Sequence, residues 1–308
     1  MANSNTDPTA NRTATQPAGL ELAVIAYGIA RLDYAELAVH RKTPPSRFTP
    51  RIGPLLLKHS DEQTVAALVA MDRAMSAANI ANEACGRWAV VSTSSYLGRN
   101  ASVAVTDKFQ AEGPWGVSVH PTPHRSLHSV ASTVSLGLQS HGPSIGAGGA
   151  PGQEPSALLS AAGMLESGAW DGVWTLFSAW SPELELDFKG QPISESTCLA
   201  VALGLVSQPV VTTVGRVRID IVEGGQTAAA PVGDSHQESV NLTEFLADEG
   251  RKRGAWSCSP SPWMRLELDL PLAELPKPHF SIRGAESSRT VVRPAQPAQT
   301  RGDATPPV

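Results

Sequence analysis

The chain has 308 residues, a formal net charge of -5, 41% hydrophobic and only 17% charged residues, with 26 glycines and 25 prolines. That length allows one large domain or two small ones and supports a sizeable core. The mildly acidic balance, with no basic run longer than Arg251-Lys252-Arg253, argues against nucleic-acid partners, and no stretch approaches the roughly 18 apolar residues of a membrane span.

Residues 1–18 are polar and rich in Asn, Thr and Ala, and read as a disordered tail. Their order is not the basic-then-apolar order of a secretory signal, so the expected location is the cytoplasm. LELAVIAYGIA (20–30) is a short apolar run that suits a buried strand. A helix follows over about 61–84. Ser60 and Gln63 form a Ser-x-x-Gln capping box, Val65, Leu68, Val69 and Met75 recur at helical spacing, and Gly86 closes it. WAVVSTSS (88–95) is the next strand, and 101–113 a short helix.

LHSVASTVSLGLQ (127–139) is apolar nearly all round with small residues, which predicts a buried helix. A glycine-rich loop runs to Gly152, and SALLSAAGMLESG (156–168), with Pro155 near its first turn, is a second buried helix. Three more strands fall at 172–180, 197–206 and 210–222. Small and polar residues without periodicity mark a linker at 223–239. An appendix at 240–283 holds one capped helix from Asn241 and one alternating strand (263–270). From about 284 the chain reads as a second disordered tail. The fold class is α/β, a mixed five-stranded sheet layered with helices, plus the small appendix.

The residues with chemical potential point several ways. Cys85, Cys198 and Cys258 are widely spaced with no Cys-x-x-Cys, so neither a disulfide framework nor a zinc ribbon is indicated. His120, His124 and His128 are four apart, but Pro121 and Pro123 break the helix that would align them, and no metal site is expected. Gly142-Pro143-Ser144-Ile145-Gly146 matches the Gly-x-Ser-x-Gly nucleophile elbow, with Asp234 and His236 downstream. An elbow needs a helix leaving the serine, and GAGGAPG is a poor helix start. The glycine loop lacks the third glycine of a dinucleotide fold and the Lys-Ser/Thr of a P-loop. Trp170, Trp174 and Trp180 read as core or interface anchors.

Residues 127–180 resemble the N-terminal half of β-ketoacyl synthases, the condensing enzymes of the thiolase fold. The resemblance rests on an apolar helix ending in HGPS (His141–Ser144), a small-residue loop, and then SALLSAAGMLESGAWDGVWTLF, which looks like the nucleophile helix, turn and following strand. Residues 20–30, 61–85 and 197–222 look like the first strand, first long helix and closing strands of that half, so about 200 residues are covered. Within the superfamily the chain looks most like the short synthase-like domains that serve as chain length factors or partner subunits.

The resemblance also implies losses. An active synthase has a cysteine at the start of the nucleophile helix, where helix dipole, histidines and backbone amides stabilise thiolate and oxyanion. Counting back from Gly168 and forward from Gly142 both place it at Pro151. The two catalytic histidines belong to the second thiolase half, for which the 86 residues after Val222 are too few, and His236 and His279 lack the family context. The expectation is a non-catalytic protein without cofactor or metal. It would pair with itself or with a ketosynthase, with acyl carrier protein as a possible further partner. His128, Gly142, Pro143, Ser144 and Gly152 are the acyl-pocket or interface candidates. The alternatives are a serine hydrolase using Ser144 and an acyl-binding relic without chemistry.

Overall fold

The computed structural model describes residues 19–118, 122–187, 192–221, 242–247, 254–261 and 264–270. Fifteen helices and strands alternate along these residues. They run β1 (Gly19–Leu32), α1 (Tyr34–Lys42), α2 (Pro54–His59), α3 (Glu62–Ala77), β2 (Trp88–Ser94), α4 (Arg99–Glu112), α5 (Ser129–Leu138) and β3 (Ser144–Gly146). Then follow α6 (Glu154–Glu166), β4 (Gly172–Ser181), β5 (Thr197–Val206), β6 (Gly215–Ile221), α7 (Leu242–Ala247), β7 (Gly254–Ser261) and β8 (Met264–Leu270). One eight-stranded mixed sheet has the order β3-β2-β4-β5-β1-β6-β8-β7. β2 runs parallel to β3 and β4, and every other neighbouring pair is antiparallel.

The α/β class holds, and the sheet has eight strands instead of five. β3 lies inside the glycine loop, too short to show a period, and β7 carries no clean alternation in GAWSCSPS. β8, expected as an appendix strand, pairs with β6 from Arg216↔Asp269 to Ile221↔Met264. The described residues on either side of the expected linker therefore share one sheet.

Burial divides the sheet in two. β2, β4 and β5 are buried on both faces almost end to end, as parallel or central strands must be when helices cover both sides. On one face the residues are small: Ala26, Gly28 and Ala30 of β1 beside Ala200, Ala202 and Gly204 of β5. α3 lies on this stripe through its own alanines, Ala66, Ala67, Ala70 and Ala74, and α5 joins it above Trp88 and Trp174. A Cβ on Gly28 would collide with the backbone of Ala70 and Ala74. The opposite face carries larger residues, Val201, Leu203, Leu205, Val173 and Phe177, under α6 and α7. Beyond β1 the described residues cover the sheet on that side only. β6 and β8 bury Val217, Ile219, Leu266 and Leu268, and their outer residues form ion pairs such as Arg216–Glu21 and Arg265–Glu267.

Two helices that hydrophobic period alone does not find are announced by their first residues. Asp33 caps α1 by accepting from the Glu36 amide at 2.7 Å, and Glu36 accepts from the Asp33 amide at 3.0 Å, a reciprocal capping box. α2 begins at Pro54, a residue suited to a first turn. The start of α3 differs from the expectation. Asp61, not Ser60, is its N-cap, and Gln63 turns inward instead of back onto the cap. Its end differs too: α3 stops at Ala77 with Asn79 in a left-handed turn (φ 53°), and a 3-10 turn, Asn82–Cys85, precedes Gly86. Among the described residues no helix is long and apolar enough to cross a membrane.

The close seat of α3 on β1 gives a direct test. Gly28→Val should lower unfolding stability by about 3 kcal/mol in urea titration, the upper part of the overpacking range, with Ala30→Gly far milder. An unchanged midpoint for Gly28→Val would contradict the seating.

Candidate functional site

The parallel ladder of β2 and β4 stops at Ser94↔Ser178, where polar side chains converge, while β4 runs on to Ser181 beside β5. Gln63, on the first turn of α3, donates from Nε2 to the Ser95 carbonyl at 2.8 Å. Its Oε1 accepts from the Ser178 hydroxyl at 2.9 Å, and Ser178 Oγ lies 2.8 Å from Ser94 Oγ. The Ser95 amide in turn donates to the Ser178 carbonyl at 2.9 Å. One glutamine thus clamps the two strands where their ladder stops.

Asp61 extends the clamp to the next loop. Its two oxygens accept from the Gln63 and Gly98 amides, each at 3.0 Å. Gly98 is left-handed (φ 73°) and lies close to the Arg125 backbone, and Tyr96 is left-handed at φ 53°. The Asp61 carboxyl is buried, and its pKa is pushed up to about 6, first by burial and then by the charge of Glu62; the two amide bonds oppose the rise.

The glycine loop closes over the same strand ends. The Tyr96 amide donates to the Gly149 carbonyl at 2.9 Å, and the Ala147 amide to the Ser92 carbonyl at 2.7 Å. Gln153, the N-cap of α6, bends back so that its Oε1 accepts from the Gly149 amide (2.7 Å) and the Ala150 amide (3.1 Å). Pro151 and Gly152 form the exposed turn between these residues, Gly152 being left-handed (φ 76°). Pro151 and Pro155 have no amide hydrogen. The buried Glu154 opens α6, where the helix dipole favours a negative charge, and its Oε1 accepts from the Thr243 hydroxyl at 2.9 Å.

The expected candidates do not converge on one spot. Gly142 lies against Trp88, where a Cβ would strike the Trp88 carbonyl and Ala89. The Pro143 carbonyl accepts from the Val90 amide at 2.9 Å. Ser144 sits in β3, opposite Val90 on β2. His128 is an exposed N-cap residue of α5 that makes no side-chain capping bond, and Gly146 approaches the Leu127–His128 backbone. The elbow geometry is absent. Ser144 lies within a strand, the next helix starts at Glu154, and among the described residues no histidine hydrogen-bonds its hydroxyl. His120, Asp234, His236 and His279 lie outside the described residues.

The three thiols of the chain are not activated. Cys85 is buried and accepts from Trp174 Nε1 at 3.5 Å. Burial pushes its pKa up, raises that of Cys198 well above the usual range, and lifts Cys258 to about 11 with help from the Glu154 charge. Such thiols are poor nucleophiles. Among the described residues no group of three His, Cys, Asp or Glu could hold a metal. Trp174 and Trp180 are core residues and Trp170 is half-buried against the second core face.

What the residue patterns missed is the clamp. Gln63 reads as a capping partner, and Asp61 and Ser178 stand in runs without any motif.

No family model and no curated protein matches the sequence. Among solved structures the chain is similar to the ishigamide ketosynthase/chain length factor, at 13% identity and TM-score 0.52, over 82% of this chain and 99% of that one. It is also similar to the ketosynthase ApeO in complex with its chain length factor ApeC from Xenorhabdus doucetiae, at 11% identity and TM-score 0.46, over 81% of this chain and 99% of that one. A complex of a type II polyketide acyl-carrier protein with its ketosynthase matches at 14% identity and TM-score 0.42, over 61% of this chain and 64% of that one. The first of these establishes the fold, that of the thiolase-like ketosynthases, as the residue resemblance implied.

The raised Asp61 pKa predicts a pH dependence. A carboxyl that is harder to ionise when folded contributes stability below its unfolded value near 3.9, and loses it as pH rises through about 6. Relative to Asp61→Asn, the wild type should therefore lose about 3 kcal/mol between pH 3.5 and pH 7 in parallel urea titrations. A pH-independent difference would place Asp61 in a solvated site.

Proposed function

We propose that this chain is a non-catalytic, cytoplasmic partner subunit of a ketosynthase. It would act as a chain length factor does, shaping acyl-chain assembly in fatty-acid or polyketide-type synthesis without forming the carbon–carbon bond itself. The observation that carries this reading is the loop ahead of α6. Condensation needs a nucleophilic thiol at a helix start together with free amide donors for the oxyanion. Counting along the resemblance puts Pro151 where the thiol would stand, the Gly149 and Ala150 amides are already bonded to Gln153, and Cys85, Cys198 and Cys258 have raised pKa values. The reading involves no cofactor, metal or nucleic acid.

Two surfaces support a partner. β3 ends the sheet, so its outer edge has no strand beside it among the described residues, and an open edge invites pairing. α4 has no buried residue, and its Val103 and Phe109 are about half exposed, with Trp115 just beyond at 98% exposure. Large apolar side chains left exposed along one element are candidates for an interaction site. The first structural neighbour is a ketosynthase/chain length factor, which makes a ketosynthase the natural partner and acyl carrier protein a further one.

The test is co-expression with the ketosynthase of the same host. The two chains should co-elute on size exclusion, and Phe109→Asp/Trp115→Asp should weaken the complex by about tenfold or more while leaving the melting temperature unchanged. Pro151→Cys should confer no condensing activity on the isolated chain. A monomer that ignores both ketosynthase and acyl carrier protein, or a condensing activity in the isolated wild type, would overturn the reading.

A further inference from the structure

We propose that the cleft between α1 and α2 binds a small amphiphilic anion, a molecule with one anionic head and an apolar body. The cleft holds about 430 Å³, within the size range of small-molecule sites. Its inner wall is apolar, made by Leu37 and Ala38 of α1 and by Pro54 of α2. Its rim is cationic. Lys42 stands at the end of α1 and Lys58 near the end of α2, and both are exposed.

The charge balance around the cleft is incomplete. Glu62 is the only carboxylate in the lining, and Arg41 already holds it at 2.7 Å. Lys42 and Lys58 make no ion pair among the described residues. A third cation lies near: Arg125 donates from Nε to the His59 carbonyl at 3.4 Å, and its charge acts on the Tyr34 phenol inside the cleft. Basic residues at helix C-termini complement the helix dipole. That accounts for each lysine singly, but not for cations from two helices meeting over one apolar cavity. An anionic head placed between Lys42 and Lys58 would supply the missing charge, and the apolar body would fill the space beside Leu37 and Pro54. Tyr34, with its pKa raised by burial and by Glu62, stays protonated and can donate to the head. A carboxylate, phosphate or sulfonate head meets the same chemistry. The site is separate from the surfaces assigned to a partner subunit and does not depend on that assignment.

The experiment titrates the full chain with anilinonaphthalene sulfonate, an anion with an apolar body whose fluorescence reports on an apolar site. One saturable site per chain is expected, weakened about tenfold by Lys42→Glu/Lys58→Glu and by high salt. Ala38→Trp, which fills the cleft from an exposed helix position, should remove the site. Phe109→Ser, on the apolar surface of α4, should leave it unchanged. Decanoate and decyl phosphate should each displace the probe, the better competitor identifying the head. Inorganic phosphate and decanol, each lacking one half of the ligand, should not. The proposal is overturned if the double charge reversal leaves the affinity unaltered, if decanol competes as well as decanoate, or if Phe109→Ser abolishes the signal. The charge reversal rests on exposed side chains, so it remains decisive even where Ala38→Trp disturbs folding.

Discussion

The structure depends on burying both faces of three central strands. β2, β4 and β5 expose almost nothing, so each face needs its own helical layer, and the two layers meet different chemistry. Small residues on one face let α3 sit against the backbone of β1, while branched and aromatic residues on the other pack against α6 and α7. The late segments of the chain are recruited into the same task. α7 covers the large-residue face, where the Tyr27 hydroxyl donates to the Leu246 carbonyl and Arg31 reaches the Ala247 carbonyl at 3.3 Å. β8 then extends that apolar surface through Met264, Leu266 and Leu268.

Burial on both faces also creates the polar problem that the clamp answers. Where the ladder of β2 and β4 stops, Ser94, Ser95 and Ser178 are still inside the protein. Buried polar groups left unbonded are costly, and Gln63 with Asp61 satisfies several of them at once while fixing the loops above. The same strand ends are where an open α/β sheet ordinarily builds chemistry. Here the space is occupied by the chain's own hydrogen bonds, with Gln153 holding two amides and Pro151 offering none. The chain's own side chains thus hold the loop that closes over this end of the sheet.

Much of this could be read from the residues. The long apolar runs of β1, β2, β4 and β5 and the small-residue helices α5 and α6 are legible because burial on all sides leaves little room for polar residues. The loop with Pro151 was legible because glycine and proline mark it so heavily. What escaped had weaker signals. α1 is announced only by Asp33 and Glu36, since its surface position mixes polar and apolar residues. β3 is three residues long, and β7 carries serines and a proline. The site itself was the least legible part. Ser144 matches a pentapeptide motif but is a strand residue, whereas Asp61 and Gln63 act through contacts across 37 and 115 residues of chain that no local pattern encodes. Capping chemistry was right in kind at the start of α3 and wrong by one residue, because the buried carboxylate reaches two amides where Ser60 reaches only the Leu56 carbonyl.

The central claim is that the edge of β3 and the exposed apolar residues of α4, with Trp115 beyond it, are left for another protein to cover. Hydrogen–deuterium exchange of the full chain, alone and with its host ketosynthase, measures that directly. The account predicts slowed exchange at the amides of residues 99–117 and 144–146 on adding the ketosynthase, with little change in β5 and α3, which are already buried. Unchanged exchange in those two segments at saturating ketosynthase would contradict it.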